Sequence, residues 1–334
     1  MRNGNRGGFV MKERTPAGVI AALTAVLVLL APHAGAQPAT YPTKAIRLIV
    51  ASGAGLDFVA RQVAGPMSEA VGQTVVVDNR AGASGSIAAE LAAQAAPDGY
   101  TVMFLSASLV VYGIVSKTRY DLYRDFAPVT QAAAAPYILT VYPGLPATTV
   151  KELIAYAKSV PTKLNYSSTG NASLAHLATE LFRISTGIEL VHVPYKGVGA
   201  ALPDMLAGRI HMSFLSMGSV YSQVRVGKLK PIAIASATRA KIAPDLPTMI
   251  ESGVPGYIVT QWHGMLAPRG TPQGVIERLY QEIAAAVKQL EVVKRLALDG
   301  TEGVASSPRE FAAHLRNERE QWTKVVQLAN IRAE

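Results

Sequence analysis

Two glycines after an apolar run, with an acid about twenty residues on, are the residues here that come nearest to enzyme chemistry. Gly53-Ala54-Gly55 follows Ile46-Arg47-Leu48-Ile49-Val50, and Asp78 ends the next apolar run, 23 residues after Gly55. A dinucleotide fingerprint needs glycine at three positions, the last so that helix and strand can pack closely. Here that place holds Phe58, whose bulk obstructs such packing. No G-x-S-x-G elbow occurs; Gly82-Ala83-Ser84-Gly85 is one residue off and reads as a loop. His176, His192, His211, His263 and His314 stand apart from one another with no H-E-x-x-H among them, and there is no cysteine. Thiol chemistry and thiolate metal sites are therefore excluded, and the reading is of a chain with no catalytic residue, no metal and no cofactor.

What remains is small, polar and placed where strands should end. Ser52-Gly53-Ala54-Gly55 leads into Leu56 and Asp57. Ser106-Ala107-Ser108, Ser167-Ser168-Thr169-Gly170-Asn171 and Pro194-Tyr195-Lys196-Gly197 follow later strands, and Ser216 follows another. In open α/β sheets, ligands bind beyond the carboxyl ends of the strands. Helix N-termini there direct free N–H groups and a partial positive charge outward, and hydroxyls and amides add donors. Such a set holds a carboxylate without transforming it. The same residues are also ordinary turn and N-cap formers. Asp57 is equally suited to stabilising a first helical turn, and Lys196 to an exposed face.

The elements that must position these loops alternate. Strands are predicted at 46–50, 74–77, 100–105, 137–142, 164–167, 190–193, 210–215 and 231–235. Helices are predicted at 56–71, 86–95, 173–185 and 198–207, and from Thr149, Thr271 and Ser307 onward. Pro66 is expected to kink or shorten the first helix. Thr149-Val150-Lys151-Glu152 and Ser307-Pro308-Arg309-Glu310 read as helix starts, the first as a capping box. The pattern predicts an α/β protein with two mostly parallel sheets flanked by helices. Proline-rich stretches at 143–146 and 244–268 suggest two crossings between lobes. The predicted organisation is 37–141 plus 262–334 as a discontinuous first lobe and 142–261 as the second.

The N-terminus points outward from the cell. Arg2, Arg6, Lys12 and Arg14 precede an uncharged run, Ala17 to Ala31, and then Ala34-Gly35-Ala36. A basic start, an apolar core of about 15 residues (short of the ~20 a membrane span needs) and an A-x-A site predict a signal peptide cleaved after Ala36. Without residues 1–36, the chain carries 28 Lys+Arg against 22 Asp+Glu, a net charge of +6 spread without clusters. That distribution argues against a nucleic-acid surface. A cysteine-free exported chain relies on burial for stability.

The motifs also resemble a known family. Tyr41-Pro-x-Lys44-x-Ile46-Arg47, Val75-Val-Val-Asp-Asn79-Arg80-x-Gly82-Ala83-x-Gly85, Ala96-Pro97-Asp98-Gly99-Tyr100-Thr101 and Asp125-Phe126-Ala127-Pro128-Val129 occur in order. Lys163-Leu164-Asn165-Tyr166-Ser167-Ser168-x-Gly170-Asn171, His176-Leu177-Ala178-x-Glu180-Leu181-Phe182 and Val191-His192-Val193-Pro194-Tyr195-Lys196-Gly197 follow. Asp245-Leu-Pro247-Thr248, Leu266-Ala267-Pro268-x-Gly270-Thr271-Pro272 and the Trp322 helix complete the series. Together these resemble the Bug-type (TctC-like) periplasmic receptors of tripartite tricarboxylate transporters across essentially the whole chain after the leader.

The resemblance implies a two-lobed Venus-flytrap fold of the periplasmic binding protein type (type II-like), with a carboxylate ligand in the cleft. It implies a large and a small membrane subunit as partners and a monomeric receptor in the periplasm. It leaves open a ligand sensor for a signalling partner, or an exported enzyme acting on a small acid. The expected ligand contacts are Ser52, Gly53, Ala54, Gly55, Leu56, Asp57, Ser106, Ser108, Ser168, Thr169, Asn171, Tyr195, Lys196, Gly197 and Ser216. Two departures stand out. The first loop is two residues shorter than the family's pattern and lacks one of its glycines. Phe214-Leu215-Ser216 stands where the family often has Phe-Asp-Asn. Losing that acid predicts a less polar or aromatic carboxylate rather than an amino acid.

Overall fold

A computed structural model describes residues 1–5, 7–11, 41–51, 54–80 and 82–332. The apolar run and cleavage site of the expected signal peptide, with Ser52 and Gly53, lie outside these residues. Contacts divide the chain into Met1–Thr40 and Tyr41–Glu334, and every element below belongs to the second part.

The first half begins with β1 (Ile46–Val50), α1 (Ala54–Val71), β2 (Val75–Asn79), α2 (Ser86–Ala93), β3 (Thr101–Ser106) and α3 (Ala107–Val115). Ile46, Leu48, Ile49 and Val50 are all buried, as expected of a parallel strand covered on both faces. Leu56, Val59, Ala60, Val63, Ala64 and Met67 form the buried stripe of α1 at helical spacing. That stripe spans Pro66, and the helix continues through it to Val71, contrary to the shortening expected. Packing of the apolar face outweighs the hydrogen bond the proline removes.

β4 (Phe126–Val141) joins the halves. Its early residues pair antiparallel with β9 (Thr260–Pro268), ending at Pro136 opposite Thr260. From Tyr137 it pairs instead with β7 (Met212–Ser216) and, from Ile138, with β8 (Lys230–Ile234). The main ladder runs β2-β1-β3-β9-β4-β7-β5-β6, with β5 at Asn165–Ser168 and β6 at Val191–Pro194. β8 and the two-residue β10 (Glu302–Gly303) join β4 from the side. On the first side β2, β1, β3 and β4 run one way and β9 the other; on the second, β7, β5, β6 and β8 share a direction that β4 opposes. The protein is thus a two-lobed α/β fold whose sheets are each mostly parallel.

Helices α4 (Val150–Ser159), α5 (Leu174–Thr186), α6 (Val198–Leu206) and α7 (Met217–Arg225) belong to the second half, and α8 (Gln273–Ala286), α9 (Leu290–Leu298) and α10 (Pro308–Leu328) form the tail. The capping box expected at Thr149 is half made. Thr149 Oγ1 accepts from the Glu152 amide, but Glu152 accepts from Thr148 rather than reaching back to Thr149. The full box is at Ser307, whose amide donates to Glu310 Oε2 at 2.8 Å while its Oγ accepts from the Glu310 amide at 3.3 Å. Ser307→Ala is expected to cost about 1 kcal/mol, lowering the midpoint of thermal unfolding by about 2 °C.

Candidate functional site

A cleft of about 600 Å3 collects the ends of elements from both halves. Ala51, Gly55, Leu56, Phe58 and Val59 line it from the β1–α1 junction, Ser106 and Ser108 from the β3–α3 junction, and Ser216, Gly218 and Ser219 from β7–α7. Ser84 joins them from the 3-10 turn Ala83–Gly85, held in a left-handed conformation with φ 52°. The next residue, Gly85, has φ 95°, and a Cβ there would lie 2.8 Å from Ala51 Cβ and 2.9 Å from Ala51 O. Only glycine lets this turn close onto the end of β1.

The two seryl caps at the cleft differ from the seryl and threonyl caps elsewhere. Thr149, Ser173 and Ser307 fold their hydroxyls back onto amides of their own first turns. Ser106 and Ser216 occupy the N-cap positions of α3 and α7 but make no such bond. Ser216 Oγ instead pairs with Ser219 Oγ at 2.6 Å. First-turn amides of both helices are thus left open beside seryl hydroxyls, the arrangement that receives an anion without a basic side chain. Among the described residues no lysine or arginine lines the cleft.

The floor comes from β9 and the segment after α9. Gln261 and His263, two apart on one face of β9, line the cleft with Ala135, Asp299 and Thr301. His263 is 5% exposed and sits opposite Ser106 in the β3–β9 register. Its Nδ1 has no hydrogen-bond partner among the described residues, and burial pulls its pKa down to about 4, so the ring is neutral at physiological pH.

Of the expected contacts, the cleft brings together Gly55, Leu56, Ser106, Ser108 and Ser216; Ala54 opens α1 beside them. Ser106-Ala107-Ser108 is not a free loop, because β3 passes directly into α3 with Ser106 as the cap. Asp57 is engaged on the surface of α1, where hydrogen bonds from Arg61 and then Asn79 hold its carboxyl below the usual range. Ser168 Oγ bonds Gly170 O at 2.8 Å and His192 Nε2 at 2.7 Å. Asn171 Nδ2 donates to Arg332 O, and Tyr195 OH donates to Asp204. Thr169, Lys196 and Gly197 are likewise outside the cleft lining. Ser168 ends β5, and Thr169, Asn171, Tyr195, Lys196 and Gly197 follow β5 or β6, whose carboxyl ends share one edge of the sheet with Ser216 at the end of β7.

The residue put in place of the family's acid also changes meaning. Leu215 is 1% exposed and packs in the core, paired with Ile138, so the exchange there alters core packing and not the cleft wall. An acid does face the cleft, but it is Asp299. Phe58, Val59, Ser84, Gly218, Ser219, Gln261, His263, Asp299 and Thr301 were not anticipated. Ser216-x-x-Ser219 was the local signal available for one of them, Ser219.

The profile of the tripartite tricarboxylate transporter family receptors matches residues 59–331. Protein BugT of Bordetella pertussis is 34% identical over 86% of this chain and 90% of its own. A protein of R. palustris solved with adipate is 35% identical, with a TM-score of 0.75 over 87% of this chain and 99% of its own. MatC from Rhodopseudomonas palustris, solved with bound malate, is 29% identical, with a TM-score of 0.72 over 86% and 100%. Among the described residues no helix is long and apolar enough to cross a membrane. By its profile and by whole-chain likeness to these solute-binding proteins, the chain belongs to the tripartite tricarboxylate transporter receptor family.

Proposed function

We propose that this protein is a periplasmic receptor that captures a small carboxylate between its lobes and delivers it, chemically unchanged, to the membrane subunits of a tripartite transporter. The observation that carries this reading is the pair of uncapped seryl helix starts, Ser106 and Ser216, facing one cleft from opposite halves. The adipate and malate bound by its relatives support it. The handover of β4 from β9 to β7 between Pro136 and Tyr137, with β9 starting at Thr260, supports crossings there. The first lobe then comprises residues 41–136 and 260–332. Closure about these crossings carries the β5 and β6 loops, with Ser168, Thr169, Asn171, Tyr195, Lys196 and Gly197, toward a ligand already held at Ser106 and Ser108. The ligand favours the closed state only through contacts made better there. A cleft with open amides and hydroxyls but no lysine or arginine among its described lining residues suits acids of low charge better than tricarboxylates.

Protein recovered from the periplasm is expected to begin at Gln37 and to respond in a thermal-shift panel of mono-, di- and tricarboxylates and aromatic acids. A carboxylate at ~100 times its Kd adds about 2.7 kcal/mol, raising the midpoint by about 5 °C. Mass spectrometry of the released ligand is expected to return it intact. Turnover would favour an enzyme, and ligand-free protein that responds to no carboxylate would defeat the receptor reading.

A further inference from the structure

Asp299 and His263 make one part of this cleft unlike the rest. His263 is buried in the floor with an Nδ1 that has no partner among the described residues, and a buried polar atom without a partner is costly unless something completes it. The Asp299 carboxylate makes no hydrogen bond or ion pair among the described residues, although the main chain there is held firmly. Asp299 N donates to Leu296 O, and the amides of Gly300 and Thr301 close onto Ala297 O and Leu296 O. The segment presses against the start of α7, where a Cβ on Gly218 would lie 2.7 Å from Asp299 O and 3.0 Å from Asp299 Cβ. The Asp299 carboxylate therefore sits close to the first turn of α7 and offsets the positive end of that helix. This leaves the starts of α1 and α3, with Ser84, Ser106 and Ser108, as the place where a ligand anion is best received. An acceptor pole then faces the other end of the ligand.

Building on the receptor reading above, we propose that the cleft selects a carboxylate bearing a hydrogen-bond donor at its far end, an ammonium or a hydroxyl, over a dicarboxylate of equal length. Asp299 is the specificity-determining residue, and His263 is an uncharged partner in the floor. A linear dicarboxylate brings its second negative charge into the part of the cleft that already holds the Asp299 charge, and among the described residues no lining cation offsets it. An ammonium or hydroxyl there meets an acceptor instead. This reverses the expectation drawn from Leu215, because the acid that faces the cleft comes from a different part of the chain.

The test uses matched probes in calorimetry: 4-aminobutanoate and 4-hydroxybutanoate against succinate, and 6-aminohexanoate against adipate. The amino acid of each pair is expected to bind about 10-fold more tightly than the dicarboxylate, the scale of one charge-assisted hydrogen bond. Asp299→Asn is expected to erase or reverse that preference while lowering the ligand-free unfolding midpoint by no more than about 2 °C, the scale of one exposed charge at a helix end. Dicarboxylates binding the native protein as well as the amino acids do would overturn the proposal and leave the receptor reading standing. So would an amino-acid preference that survives in Asp299→Asn. Failure of every carboxylate, these probes and the wider panel alike, overturns both.

Discussion

Replacing Glu318 with alanine is expected to lower the stability of the protein by about 2–5 kcal/mol. Glu318 is 8% exposed, and one oxygen, Oε2, accepts from two indoles, Trp262 Nε1 at 3.0 Å and Trp322 Nε1 at 2.9 Å. Trp262 lies on β9 between Gln261 and His263, so this carboxylate fastens the strand that carries the cleft floor to α10. Alanine orphans two buried N–H donors and leaves a void beside Trp262, whose ring also packs edge-on against Phe311 at 5.5 Å. Glu318→Gln keeps an acceptor for the indoles and is expected to stay within about 1 kcal/mol of the native protein.

The pH dependence separates the native protein from both variants. Burial raises the Glu318 pKa, and the two indole bonds only partly oppose it. An acid whose folded pKa is raised binds its proton more tightly when folded, so its contribution falls as pH rises through the folded value. The native protein is therefore expected to gain on Glu318→Gln as pH is lowered toward the unfolded carboxyl value of about 4.3. Denaturant unfolding at pH 7 and pH 5 measures both effects. Equal stabilities for the alanine and glutamine variants would mean that the indoles find other partners and that the carboxylate does not fasten β9.

How much of this was readable beforehand depends on where each signal resides. The β1–α1–β2 unit was legible because its apolar positions repeat locally: Leu48 to Val50 as a run, Leu56 to Met67 as a stripe. The first part of β4 was not, because Ala132 to Ala135 between Pro128 and Pro136 carries little strand propensity, and pairing with β9 supplies what the residues lack. β9 was read as part of a proline-rich crossing, yet its buried pattern from Trp262 to Pro268 is that of a strand covered on both faces, which has no alternation to detect. The α3 and α7 helices begin with no intervening loop after Ser106 and Ser216, so turn-like residues concealed both. Ser106, Ser108 and Ser216 could be proposed as contacts because strand ends face ligands in this class of fold. His263 and Asp299 could not. They reach the cleft through ladder pairing and the tail's return to the first sheet, and tertiary pairing leaves no local mark.

The close approach of α7 to Asp299 makes Gly218 the position where one methyl group should disturb binding most directly. A Cβ at Gly218 meets a main-chain carbonyl, Asp299 O at 2.7 Å, which cannot swing aside as a flexible side chain could. That carbonyl belongs to a turn closed by three main-chain hydrogen bonds, from Asp299, Gly300 and Thr301, so the turn and α7 must separate as units. Alanine favours a helix over glycine by about 1 kcal/mol, while overpacking costs about 1–3 kcal/mol. The net loss of stability is therefore expected to be small. The cleft should change more. Ser216 and Ser219 on one side and Asp299 and Thr301 on the other are spaced by this contact, and a shift of a few tenths of an ångström or more weakens hydrogen bonds to any ligand spanning them. Gly218→Ala is expected to weaken carboxylate binding by about 10-fold or more. The control is Gly199→Ala in α6, where a Cβ meets nothing within 4 Å; it should leave binding unchanged and hold or slightly raise stability. Calorimetry with the best ligand of the panel, alongside thermal unfolding of both variants, distinguishes the two. A Gly218→Ala protein that binds like the native one would mean that α7 and the 299–301 segment do not jointly shape the binding cleft.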